Sequence, residues 1–278
     1  MQYSLSNRLS SNVSGIDPDA RAYIAAVEAV LPGNSIETAL PNASNPKRII
    51  SDFIKAEKGA SRWALHKRIY LPIYNNAAAS AVDMVSRTSG TFFGGVTHAA
   101  GYVQGDGSSG YFLTNGNASS HITENNLFIG TLHNIQTTLI FRATIGVGSG
   151  TTNIALQSGS AATVNVGIGV GTATAAASGF VGSTGIISVA FDGSTRRLKR
   201  RTSSSNALLA SNTIASAGLA PAFPFAIMAR NNGLVFDIYS NAGIGASWIS
   251  DDGGDTQNDL FTANLKTLWE SLTGLTLP

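Results

Sequence analysis

Three groups of residues have types and spacings that chemistry could use. The first is Gly105-Asp-Gly-Ser-Ser-Gly110, which spells G-x-G-x-x-G. In a dinucleotide fingerprint those glycines turn a strand into a helix whose N-terminal N–H groups face the pyrophosphate. Here the residues after Gly110 are Tyr-Phe-Leu-Thr-Asn-Gly-Asn, which carry no helical period. No acidic residue stands at a strand end about 20 residues on to meet a ribose. The clusters Gly146-Val-Gly-Ser-Gly150 and Gly167-Ile-Gly-Val-Gly-Thr172 lack the Lys-Ser/Thr of a phosphate loop. Tyr102-Val103 and Tyr111-Phe112-Leu113 flank the linker, so the segment reads as a β-hairpin.

The second group would bind a metal or cleave a glycan. His66, His98, His121 and His133 have no histidine partner at helical or strand spacing. Asp251, Asp252 and Asp255 suggest calcium, but the alternating acids and distal Glu of a calcium loop are missing, so capping of the following helix is expected. Glycan cleavage needs paired carboxylates. The glutamates are Glu28, Glu37, Glu57, Glu124 and Glu270, and Glu124, alone among them in the β region, has no acid near it in sequence. The third group is Arg196-Arg-Leu-Lys-Arg-Arg201. On a strand its charges alternate between faces. Without interleaved aromatics, and with a net charge of +2, it argues poorly for nucleic acid. It reads as an exposed edge hairpin whose charges block strand pairing or meet acids of a neighbouring subunit. No catalytic residue, cofactor site or metal site is assigned.

The elements that would position these groups change character along the chain. Asp17-Pro18 opens an amphipathic helix with Tyr23, Ile24, Val27, Val30 and Leu31 on one face, closed by Pro32-Gly33. A second begins near Asn45-Pro46, carries Ile49, Ile50, Phe53 and Ile54, and ends before Gly59. Each is too short to stand alone, so each must pack on the other, on the following domain or on a partner. A strand is expected over 67–72 and a short surface helix over 78–87, with Asp83 exposed. Short strands then follow near 92–96, 102–104, 111–114, 126–129, 136–144, 153–157, 163–170, 185–191, 196–201, 207–213, 223–229 and 235–240. Such density implies an antiparallel β-sandwich or barrel. A closing helix over about 255–273 puts Leu260, Phe261, Leu265, Leu268, Trp269 and Leu272 on one stripe. The chain thus divides into an α-helical segment, 1–60, and a β-sandwich with its C-terminal helix, 61–278.

Of the 278 residues 43% are hydrophobic and 12% charged, about half the charge of an average soluble domain. Ala143 to Phe191 has no charged residue at all. Disorder needs the reverse composition. Flat strands with small side chains are expected, central in a sheet or covered by another subunit. There is no cysteine, so disulfides and thiolate metal sites are excluded. The N-terminus lacks the apolar run of a secretory signal, and no stretch approaches the roughly 18 residues of a membrane helix.

The order of parts resembles a family of tailed-bacteriophage virion proteins with a concanavalin A-like (laminin-G-like) jelly-roll domain. The matching pieces are Ala22-Tyr-Ile24, Ile50-Ser-Asp-Phe-Ile-Lys-Ala-Glu-Lys-Gly59, Trp63, Arg68-Ile-Tyr-Leu-Pro-Ile73 and Ala81-Val-Asp-Met-Val85. They continue with Gly101-Tyr-Val-Gln-Gly-Asp-Gly-Ser-Ser-Gly-Tyr-Phe112, Ile238-Tyr-Ser-Asn-Ala-Gly-Ile-Gly-Ala-Ser-Trp248 and the closing Leu268-Trp-Glu-Ser-Leu-Thr-Gly-Leu275. The resemblance implies a structural or adhesive virion component assembled in the host cytoplasm. The expectation is a tail, baseplate or fibre protein, with receptor or glycan adhesion as an open role. Capsid decoration or a head fibre is the alternative in the same setting, and a glycan-processing enzyme is the disfavoured alternative from another class. The expected partners are other virion proteins, further copies of the chain (a trimer among the options) and a host-surface glycan, with neither membrane nor nucleic acid.

Overall fold

A computed structural model of the chain describes residues 15–123, 125–135, 142–149, 152–158, 163–170, 174–178, 184–213 and 221–278. The helices form where the caps require. Asp17 accepts from the Asp19 N–H ahead of α1 (Pro18–Glu28), and Ser35 opens the one-turn α2 (Ile36–Ala39). Asn45 accepts from the Arg48 N–H at 3.1 Å ahead of α3 (Pro46–Gly59). Both longer helices begin on proline, whose missing N–H costs nothing there. A 3-10 turn (Trp63–Leu65) leads into β1 (His66–Tyr70), and α4 (Ala77–Ser80) follows.

Most of what remains is strand. β2 (Thr91–Phe93), β3 (Val96–Ala99), β4 (Tyr102–Gly105), β5 (Tyr111–Asn117) and β6 (Leu127–Ile135) come first. β7 (Ala143–Ser149), β8 (Thr152–Ser158), β9 (Thr163–Val170) and β10 (Thr174–Ser178) occupy the charge-free stretch, which closes with β11 (Gly185–Phe191). β12 (Thr195–Arg201), β13 (Asn206–Thr213), β14 (Pro224–Ile227), β15 (Arg230–Asn232), β16 (Val235–Asp237) and β17 (Gly243–Ser250) complete the set before α5 (Asp255–Thr273). Among the described residues one sheet runs β13-β12-β11-β6-β17-β4-β3, with β1 also on β17. The other runs β10-β9-β8-β7-β14-β5-β2, with the β15–β16 hairpin joined to β7. Among the described strands pairing is antiparallel except between β15 and β7. The chain is a mainly-β sandwich with a C-terminal helix, as expected.

Two cores hold it together. Between the sheets lie Phe112, Ile129, Ile145, Val189, Phe225 and Ile244. On the far side of the first sheet, Tyr23, Ile50, Phe53, Phe261 and Leu265 pack on Phe128, Leu132 and Trp248. The molecule is therefore three layers deep: helices, sheet, sheet. Of the three packing options for α1 and α3, two are observed: the helices pack on each other and on the domain that follows, where they share a core with α5. No helix among the described residues is long and apolar enough to cross a membrane.

Several expectations are corrected. The segment around 105–110 is not a hairpin, because β4 pairs with β3 and β17 while β5 pairs with β14 and β2 in the other sheet. The chain crosses between sheets there, and crosses the other way at Gly94–Gly95. The two arches stack so closely that a Cβ on Gly94 would stand 2.1 Å from the Ser109 carbonyl oxygen, and one on Gly110 would stand 2.2 Å from that of Gly95. The glycine motif thus serves close backbone approach, with Gly107 at φ +77° supplying the turn.

The helix expected over 78–87 is the single turn α4, and Asp83 is fully buried, accepting N–H bonds from Ile69, Val85 and Ser86. Leu260 is 46% exposed and off the buried stripe. The strand expected over 136–144 is realised from Ala143, and 136–141 lie outside the described residues. β17, a central strand, had been read as no strand at all. β12 is no edge, since β11 and β13 flank it. Its basic side chains meet acids of the same chain: Arg197 pairs with Asp192, Asp252 and Asp255, and Lys199 with Asp255 and Asp259.

Candidate functional site

Two side-chain clusters stand out, one closed and one open. The closed cluster joins the helices to the first sheet. Glu57 on α3 receives both Arg62 nitrogens at 2.8 Å, Asn264 of α5 at 2.8 Å and His66 Nε2 at 3.1 Å. His66 Nδ1 lies 2.8 Å from Ser250 Oγ on β17. Ser250, His66 and Glu57 therefore line up as a nucleophile, base and orienting acid would. All three are buried, however, and Arg62 and Asn264 hold the carboxylate that would orient the base. Burial alone would raise the Glu57 pKa, but the hydrogen bonds from Arg62, His66 and Asn264 bring it down to about 2. The arrangement ties α3, β1, β17 and α5 together.

The open cluster sits at the stacked arches. Phe93 and Tyr111 are cross-strand partners on β2 and β5, with ring centroids 5.0 Å apart and planes within 16°. Phe236 of β16 stacks on Tyr111 at 4.1 Å and 18°, and Tyr239 leans in at 6.1 Å. Near-parallel rings this close are stacked, with Tyr111 between Phe93 and Phe236. The pile ends at β2, the last strand of its sheet, where Phe93 is 41% exposed.

The backbone around this pile is costly to hold. Met228, Leu234 and Ile238 all have positive φ, at +66°, +70° and +47°. Such conformations cost on the order of 1–3 kcal/mol each, and they gather at binding and catalytic sites. Asn231, itself buried, fixes the segment by donating to the Pro224 carbonyl and accepting from the Leu234 N–H, each at 2.9 Å. The tip it holds presents Leu234 and Val235, 65% and 66% exposed.

Polar groups lie around the pile. Asp106 Oδ1 accepts the N–H groups of Ser108, Ser109 and Gly110 at 2.7–2.8 Å, and Oδ2 accepts the Ser109 hydroxyl at 2.6 Å. These bonds hold the Asp106 carboxyl well below the usual carboxylate range. Arg230 grips Asp237 with two nitrogens, at 2.9 and 2.6 Å. Burial raises the Tyr239 pKa, and the charges of Asp237 and Asp106 raise it further.

The groups singled out in the sequence are not brought together. His66 is in the closed cluster, and His98 packs its ring on Phe92 at 4.5 Å, where burial lowers its pKa. His121 meets the Asn115 carbonyl, and His133 meets Thr131. Among the described residues no group of three His, Cys, Asp or Glu could hold a metal ion. Glu124 lies outside the described residues. Asp251 pairs with Lys67, and Asp252 binds Arg197, Asn258 and the Gly254 N–H. The N-cap position of α5 is Gly254, with no side-chain cap, so those acids act through ion pairs and the first turn instead of capping the helix. Sequence reading reached Tyr111 but missed Phe93 and Phe236. The available signals were the Phe92-Phe93 doublet ahead of Gly94-Gly95, and Val235-Phe236 after Asn231-Asn232-Gly233.

No protein-family model matches the chain, and no curated protein matches it in sequence. Solved structures with a similar fold include the CBM40 of a Ruminococcus gnavus IT-sialidase bound to α2,3-sialyllactose, at 12% identity, TM-score 0.39, over 51% of this chain and 82% of that one. Domain 4 of AbnA, a GH43 extracellular arabinanase of Geobacillus stearothermophilus in complex with arabinotriose, shares 13% identity at TM-score 0.45, over 71% and 99%. A Trypanosoma rangeli sialidase shares 9% at TM-score 0.49, over 80% and 40%. These likenesses are loose, and the two-sheet architecture rests on the strand pairing itself.

Proposed function

We propose that this chain is a structural component of a bacteriophage virion, in the tail, baseplate or fibre, and that it adheres to a host-surface glycan at Phe93. The observation that carries the adhesive part is Phe93, 41% exposed at the end of the aromatic pile, near a carboxylate fixed by its own turn. Binding sites for sugars and other small ligands combine such apolar surface with a few placed polar groups. The virion setting is supported by the ordered motifs from Ala22 to Leu275 and by the low charge, which suits a chain covered by neighbours in an assembly. The molecule works by binding and not by turnover. Further copies of the chain and other virion proteins are its partners, and it is assembled in the host cytoplasm. The 1–60 segment serves attachment through surfaces other than the apolar faces of α1 and α3, which lie in the core.

Screening the purified chain and Phe93→Ala on a glycan array tests adhesion. Binding by the first and not the second is expected, and equal binding by both would overturn it. Antibody raised against the chain is expected to label tails or fibres in electron micrographs of particles. Labelling confined to heads would favour the decoration alternative.

A further inference from the structure

The charges around Phe93 go further and select the ligand. Asp106 belongs to the arch stacked on Gly94–Gly95, directly after Phe93; a Cβ on Gly95 would stand 2.4 Å from Asp106 Oδ2. Its Oδ1 is filled by three backbone N–H groups, whereas Oδ2 takes one hydroxyl and keeps capacity for a further donor. An ionised carboxylate accepts hydrogen bonds and offers none. The neighbouring Arg230 is committed to Asp237 by its two-point bond. Arg142, whose neighbour Ala143 bonds the Ile238 carbonyl, is half-buried and already engaged. The basic strand β12 lies in the other sheet, its Arg197 and Lys199 held by Asp192, Asp252, Asp255 and Asp259.

Resting on the adhesive reading above, we infer that the site takes a neutral sugar, with an apolar ring face on Phe93 and a hydroxyl donated to Asp106 Oδ2, and rejects sugars that carry a carboxylate. A neutral sugar brings hydroxyl donors to an acceptor-only group. A sialic acid or uronic acid brings a second acceptor-only anion to the same place, where like charges repel.

The test is an array of matched glycans, each neutral core printed with and without a terminal sialic acid or with its uronate counterpart. It is probed with the full chain, Phe93→Ala and Asp106→Asn, with melting temperatures recorded for all three. Neutral members are expected to bind at least about tenfold more tightly than their acidic partners. Phe93→Ala should lose both. Asp106→Asn, which removes the charge and keeps Oδ1 as an acceptor, should narrow the preference. If that variant unfolds, the effect of salt on wild-type binding replaces it: acidic members should gain as salt screens the repulsion. Acidic glycans bound as well as neutral ones, with loss in Phe93→Ala, would overturn the neutral class and leave the site standing. Binding indifferent to Phe93, or none to any glycan, would overturn the site itself.

Discussion

The Glu57 cluster and the Phe93 pile use similar materials to opposite ends. Around Glu57, hydrogen bonds run unbroken through Arg62, Glu57, His66 and Ser250, and all four residues are buried. Around Phe93, rings also stack and a carboxylate is also saturated on one oxygen, but the ring is 41% exposed and the other oxygen keeps room for a further donor, on a backbone held in unfavourable conformations. A saturated buried network fixes geometry. An unsaturated exposed one, held rigid, is prepared for something that arrives. Burial and completeness, not residue type, separate the scaffold from the surface proposed to bind.

That contrast can be broken by mutation. The largest effect is expected from Glu57→Ala, which leaves Arg62 and His66 buried without their acid. Loss of one member of a buried charged network costs about 3–5 kcal/mol, read by urea denaturation, and a loss under about 1 kcal/mol would mean the cluster is not a tie. Acid should act on the same group. Because the folded Glu57 pKa is depressed from 4.5 to about 2, its contribution is complete above pH 4.5 and disappears as pH falls toward 2. That contribution is about 3 kcal/mol, and Glu57→Gln should flatten that part of the stability profile. Next is Gly110→Ala, whose Cβ meets the Gly95 carbonyl and should cost about 1–3 kcal/mol by forcing the arches apart. The smallest stability effect is expected from Phe93→Ala, below about 1 kcal/mol for a side chain this exposed.

How much of this could be read from the sequence depended on range. The helix caps at Asp17 and Asn45 and the apolar stripes on α1, α3 and α5 are local signals, and those helices formed there, although α1 stops at Glu28 and leaves Val30 beyond it, 40% exposed. The segment 102–113 was read correctly as strand, turn, strand and wrongly as a hairpin, because a tight glycine turn looks the same whether its strands pair or part into two sheets. Only the pairing of β2 with β5 and of β3 with β4, set by distant contacts, decides it. β17 escaped notice because Gly243-Ile-Gly-Ala-Ser-Trp-Ile-Ser250 is buried on both faces and so lacks alternation. Asp83 looked like surface and is the buried acceptor for three backbone groups. The Arg196–Arg201 cluster read as an exposed edge, its charges blocking strand pairing or meeting a neighbouring subunit, because the acids that answer it lie on the β11–β12 turn and, 55 to 60 residues later, around the start of α5. The Phe93 pile draws on β2, β5 and β16, which no window of sequence unites.

The most direct test of the contrast is one titration series, with the tightest array glycan added to wild type, Phe93→Ala and Glu57→Gln, and each protein's melting temperature measured alongside. The account predicts a crossed result: Phe93→Ala loses affinity by a factor of ten or more and melts within about 3 °C of wild type, while Glu57→Gln melts lower and binds as wild type does. Affinity that follows melting temperature across the three proteins would contradict it.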